Sequence, residues 1–189
     1  MMVMTDNPET NWTAYGSYSD QVAFLRIGGN ARLSWFDYSQ TVNKMLTNNR
    51  RTSQRFGVSV RTAPRDWPRV VAAYTKGYNR FKGGSLSTFT TDELELNLDW
   101  RIGSDWSLLA DYIHFRNVNR QTEQATAYEV ANAAIDYQRE TSAWGFRLTA
   151  NNLLDNRTKM SNSLSDFLVS EQVTYIMPRV WLLSVRYKL

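Results

Sequence analysis

The chain has 189 residues, no cysteine and a single histidine, which excludes disulfides, thiolate chemistry and any metal site built on several histidines. A net charge of +4, with acids and bases interspersed, gives no electrostatic footprint for nucleic acid. No apolar run reaches the roughly eighteen residues of a transmembrane helix, and the opening MMVMTDNPETNW lacks the basic-then-apolar order of a signal peptide.

Alternation with a period of two recurs along the chain, the mark of strands with unlike faces. An irregular strand is predicted at about 10–26. Regular strands follow at about 30–40, 53–63, 68–79, 91–102, 105–117, 127–139, 142–153 and 174–189. The pattern is cleanest in TDELELNLDWRI, where Leu94, Leu96, Leu98, Trp100 and Ile102 oppose Glu93, Glu95, Asn97, Asp99 and Arg101. RFGVSVRT sets Phe56, Val58 and Val60 against Arg55, Ser59 and Arg61, and AWGFRLTAN sets Trp144, Phe146 and Leu148 against Arg147 and Thr149. In the last fifteen residues, Tyr175, Met177, Trp181, Leu183, Val185, Tyr187 and Leu189 share a face interrupted only by Arg179.

Connections alternate in length. Short ones are expected at 27–29, 64–68, 103–105 and 139–142, where Gly, Pro, Asp and Ser suit tight turns. Long polar ones are expected at about 40–53, 79–91, 117–127 and 153–174. Strands of ten residues or more, one apolar face on each, and unequal rims fit a membrane-spanning antiparallel sheet. Trp100, Trp106, Trp144 and Tyr187 would form an aromatic girdle near the tight turns, and Tyr74, Tyr112 and Tyr175 one near the loops. The fold class expected is therefore all-β: a meander of eight to nine long transmembrane strands within an outer-membrane barrel. A soluble sandwich or barrel with its apolar faces inward is the bland alternative.

Candidate sites are sparse. His114 is read as a rim histidine, with Asp111 on the opposite face. Asp99, Asp111 and Asp136, with Arg32, Arg61, Arg101 and Arg147, are expected to face the interior as a ladder of cross-strand charge pairs. Gly28-Gly29 and Gly83-Gly84 read as turn or loop glycines, and Asn49-Arg50-Arg51 as a basic loop tip. No catalytic, cofactor or metal constellation is read, and no enzyme is expected.

The segment from Leu148 to Leu189 resembles the end of a TonB-dependent outer-membrane receptor, particularly the Bacteroidetes-type β-barrel family. Asn152-Leu153-Leu154-Asp155 closes the penultimate strand, a long loop follows, and Pro178-Arg179 leads into the last strand. The short-turn, long-loop rhythm extends the likeness over most of 10–189. It implies a final strand read by the barrel-assembly machinery, carried here by Trp181, Leu183, Val185, Tyr187 and Leu189, with Leu at the position the family fills with Phe or Trp. It also implies outer-membrane lipid as surroundings, and the TonB system and a surface lipoprotein as partners of the full-length parent, with ligand contacts from the loops around 40–53, 79–91 and 153–174. The family's plug domain is not found here, so the expectation is a C-terminal barrel fragment. The alternative is a complete eight-stranded barrel from about residue 30 with a structural or adhesion role.

Overall fold

The structure, a computed structural model, describes residues 9–42, 45–63, 68–83, 86–164 and 169–188. All eleven elements among them are strands: β1 Thr10–Val22, β2 Leu25–Val42, β3 Met45–Thr62, β4 Arg69–Lys82, β5 Leu86–Ile102, β6 Trp106–Asn119, β7 Ala125–Gln138, β8 Trp144–Asn151, β9 Thr158–Leu164, β10 Val169–Tyr175 and β11 Val180–Tyr187. Nine form one sheet in the order β1-β2-β3-β4-β5-β6-β7-β8-β11, and β9 and β10 make a separate hairpin. Every pair of neighbours is antiparallel.

Cross-strand partners share a face, so the register sorts the side chains. One face carries an apolar stripe on alternate residues: Leu25–Leu33 in β2, Phe56–Val60 in β3, Val70–Tyr74 in β4 and Leu94–Ile102 in β5. It continues through Trp106–Tyr112 in β6, Ala131–Tyr137 in β7, Trp144–Ala150 in β8 and Trp181–Tyr187 in β11. Within these stretches that face holds no charged residue. The opposite face carries Arg26, Arg32, Arg55, Arg61, Arg69, Glu93, Glu95, Asp99, Arg101, Asp111, Asp136, Arg147 and Arg186.

The stripe runs oblique to the strands. Leu25 stands beside Thr62, whose hydroxyl accepts from the Val70 amide. From Val70 the row passes through Leu98, Ala110, Ala133 and Ala150 to Trp181. At β2 this row is the foot of the stripe; at β11 it is the head. The stripe thus slips by about one residue per strand, and with ~3.3 Å per residue against ~4.8 Å between strands that slip corresponds to a tilt of about 35°. Outer-membrane barrels hold their strands at such tilts.

The sheet is a single layer. Buried hydrophobic residues among those described are Phe81, Phe89, Ala134 and Ala150. Leu183, Trp181, Val58, Phe146 and Trp106 stand exposed. The chain presents 13822 Å² to its surroundings, half as much again as the roughly 9,300 Å² that a compact soluble monomer of this size exposes.

Several expected boundaries are corrected. Gly28 and Gly29 lie inside β2, and the turn falls at Ala23-Phe24, with Ala23 at φ 54°. A Cβ at Gly28 would come within 2.9 Å of Ser59 Oγ, so this glycine makes room for a neighbour rather than a turn. The loop expected at 40–53 is a hairpin paired up to Val42 and Met45, and that at 79–91 is paired up to Lys82 and Leu86. Polar side chains do not end a strand whose backbone has a partner, so these hairpins continue past the apolar stripe. The strand expected at 174–189 is broken. Pro178, which has no N–H to give a ladder, separates β10 from β11, and Tyr175 sits in the hairpin, away from any girdle. Residues 64–67, Gly84 and Leu189 lie outside the described residues.

Candidate functional site: a charged wall and the knot beside its last strand

On the polar face, two ion pairs reach across an intervening strand, each over a glycine. Arg55 in β3 meets Glu93 in β5 at 3.1 Å. Between them β4 sets Gly77 opposite Arg55, and a Cβ there would run into Thr91 Oγ1. Arg186 in β11 meets Asp136 in β7 at 3.1 Å, with Gly145 of β8 opposite Arg186. Asp136 also faces Arg147 at 3.8 Å, and Asp111 accepts a hydrogen bond from Asn132 at 2.7 Å.

The expected ladder is therefore only partly realised. Asp136 and Arg147 come together, but Arg32, Arg61, Arg101 and Asp99 make no ion pair among the described residues. Instead Arg26 stands opposite Arg61, and Arg32 opposite Arg55, so the β2–β3 sector is a field of like charge and the acids begin at β5. His114 lies on the stripe-bearing face above Tyr112, its Nδ1 2.9 Å from Glu129, with Asp111 on the other face. Among the described residues no group of three or more His, Asp or Glu could hold a metal ion.

A compact polar knot holds the end of β8. Asn152 and Asp155 adopt left-handed backbone angles, φ 52° and 54°, which their short polar side chains tolerate. Asn152 is 3% exposed. Its Nδ2 donates to the carbonyls of Asn156 (2.8 Å) and Met177 (2.9 Å), and its own amide donates to Asn132 Oδ1 at 2.9 Å. Asn156 Nδ2 donates to the Glu129 carbonyl of β7 at 2.6 Å. Asp155 Oδ1 accepts the Arg179 amide at 3.0 Å, and Oδ2 lies 3.6 Å from Arg157. The knot thus joins β7, the root of the β9–β10 hairpin and the approach to β11. The sequence marked Asn152 and Asp155 by motif; the alternating pattern carried no signal for Asn156 or for the Met177 carbonyl.

The Arg179 amide, with lesser help from the charges of Arg157 and Arg179, holds the Asp155 carboxyl below the usual carboxylate range. A depressed folded-state pKa adds stability above the unfolded value that is lost as pH falls through the folded one. Wild type is therefore expected to exceed D155N in urea midpoint at pH 6 and to lose that advantage under acid conditions. An advantage that persists or grows on acidification contradicts this anchor.

Trp181, Leu183, Val185 and Tyr187 line the stripe side of β11, each more than half exposed, and among the described residues β11 pairs with β8 alone. The aromatic residues near the turn rim form contacts in a row: Trp106 with Tyr137 (4.7 Å), Tyr137 with Phe146 (6.5 Å) and Trp144 with Tyr187 (4.7 Å).

No family model matches the chain, and no curated protein matches it. Among solved structures, in-vitro-folded OmpT, an outer membrane protein of Vibrio cholerae, is similar with a TM-score of 0.50 and 12% identity, over 94% of this chain and 55% of that one. The chain thus spans about half the length of the protein it matches, and the likeness concerns the fold. The architecture is an antiparallel outer-membrane β-barrel meander, and it fits a place in the outer membrane.

Proposed function

We propose that this chain is a section of the barrel wall of a larger outer-membrane receptor of the TonB-dependent kind, a passive wall and ligand path rather than a catalyst. The observation that carries the proposal is the relation of the two outermost strands. Eight consecutive antiparallel steps separate β1 from β11, so these two strands run in the same direction. A sheet in a bilayer must satisfy its edges by closing, and antiparallel closure of a single chain takes an even number of strands. Further strands across the free edges meet that need, and a barrel of about twice this length supplies them. The Asn152–Asp155 knot supports the receptor assignment through the family likeness of the segment that carries it. In this reading, lipid covers the stripe and the arginine-rich wall looks into a wet interior. The barrel-assembly machinery reads Trp181, Leu183, Val185, Tyr187 and Leu189, and the TonB system and a surface lipoprotein act through the rest of the receptor.

The eight-stranded alternative closes β11 on β2, the edge that β1 occupies along all 13 of its residues. The absence of native cysteine makes the test direct. Ser184→Cys is combined with Ser17→Cys in β1 or Asn30→Cys in β2, all on the polar face, and the membrane-inserted protein is oxidised. A disulfide requires Cα atoms within about 7 Å, so neither pair is expected to cross-link. A high-yield 30–184 or 17–184 bond would establish a small closed barrel and overturn the larger one.

A further inference from the structure

On the stripe-bearing face, immediately above the charge-free band, the β2–β3–β4 ladders form a cleft of about 430 Å³ lined by Trp35, Arg50, Tyr78, Arg80, Lys82 and Thr88. The rows above the last apolar one run Phe56–Lys76–Asp92, then Gln54–Tyr78–Thr90, Thr52–Arg80–Thr88 and Arg50–Lys82–Leu86. Arg50 and Lys82 are direct cross-strand partners, and Arg80 lies one row below on the same face. Like charges so placed repel and weaken a sheet unless an anion sits between them.

The local acids engage Arg50 and Lys76 and leave Arg80 and Lys82 unmatched. Asp37 is taken by Arg50 through two hydrogen bonds, 2.8 and 3.2 Å, and by the Trp35 indole at 2.9 Å. Asp92 is engaged by Lys76 at 2.7 Å. Arg80 and Lys82 have no ion pair or hydrogen bond among the described residues. Arg50 stacks 4.6 Å over Trp35, which fixes its guanidinium at the cleft wall. The cleft thus offers two unmatched cations, aromatic surface from Trp35 and Tyr78, and direct continuity with the apolar stripe below.

We propose that this cleft binds the phosphate of an outer-leaflet glycolipid head group, with the lipid's acyl chains lying along the stripe. The proposal rests on the membrane reading above. An amphiphile fits where a free anion does not, because the cations stand a few residues above the hydrocarbon-facing rows and on the same side of the sheet. The sugar of the head group would meet Trp35 and Tyr78, and its phosphate Arg80 and Lys82.

The test extracts the full-length barrel that contains this chain from outer membranes in mild detergent and challenges it with bis-phosphorylated lipid A, the same lipid without phosphates, and inorganic phosphate. Retention is followed by native mass spectrometry, and folding by the shift between boiled and unboiled gel samples. The phosphorylated lipid is expected to bind at least about tenfold more tightly than the stripped one, an advantage that R80Q/K82Q abolishes, since charge-assisted hydrogen bonds of this kind are worth at least a factor of ten. N97R, on the other face, leaves it unchanged. Folded protein that retains both lipids equally, or R80Q/K82Q that keeps the preference, overturns the cleft assignment alone. Inorganic phosphate binding as tightly as the lipid overturns the lipid and leaves a free-anion site. Protein absent from the outer membrane, or without a gel shift, sinks the membrane reading and this proposal with it.

Discussion

Replacing Asn152 by alanine is expected to cost about 3–5 kcal/mol, the largest single-residue loss outside the band facing lipid. The side chain donates to two carbonyls and accepts the Asn156 amide at 3.2 Å, and each such bond contributes about 0.5–1.5 kcal/mol. Alanine also meets the left-handed φ of 52°, which costs a residue with a Cβ roughly 1–2 kcal/mol. Two further variants separate these effects. N152G relieves the backbone and loses only the hydrogen bonds, so it falls between wild type and N152A. N152D keeps the backbone preference and turns an acceptor towards the two carbonyls, so it is no better than alanine. Urea unfolding of the membrane-inserted protein gives the order. If N152A matches wild type, the knot does not hold the end of β8.

The physical reason this knot was half legible is instructive. Asn152 and Asp155 stood out because the Asn152-Leu153-Leu154-Asp155 motif resembles the receptor family's, and the left-handed backbone of both then accounts for the residue types. What each grips does not follow from local sequence, since the Met177 and Glu129 carbonyls arrive through topology. The same division runs through the fold. Leu94 to Ile102 disclosed a two-faced strand because water and hydrocarbon impose opposite demands on alternate residues. The first half of β3 disclosed nothing, because Asn48, Asn49, Arg50 and Arg51 are polar on both faces and alternate no longer. Their pairing is a backbone matter, and the basic loop tip expected at Asn49–Arg51 is in fact a ladder segment that sets Arg50 opposite Lys82. Gly28 and Gly29 misled for a related reason: glycine marks a turn or a close approach of neighbours, and composition does not tell the two apart. The final alternation from Tyr175 to Leu189 continued through Pro178, but a ladder cannot, so the last strand begins only at Val180 and Tyr175 belongs to the β9–β10 hairpin.

Leu96→Arg is expected to destabilise the membrane-inserted protein by about 2–4 kcal/mol, the cost of an arginine facing lipid at mid-depth. Leu96 sits in the row Val60–Ala72–Leu96–Tyr112–Ala131, apolar on both sides, and is 39% exposed. At an equally exposed position facing water, the same change shifts stability by no more than about 0.5 kcal/mol. The magnitude therefore reports the medium outside the sheet. Asn97→Arg, one residue along and on the polar face beside Val71 and Asp111, provides the control and is expected to be nearly neutral. Depth adds a second criterion: Ile102→Arg, beside Trp106 at the turn rim, should cost about 0–1 kcal/mol, because an arginine there reaches the interface. Urea titrations in phosphatidylcholine vesicles measure all three. A large loss for L96R, a small one for I102R and almost none for N97R locates hydrocarbon against the stripe. Equal losses for L96R and N97R would mean that both faces meet the same solvent, and no closed membrane wall could then be built from this sheet.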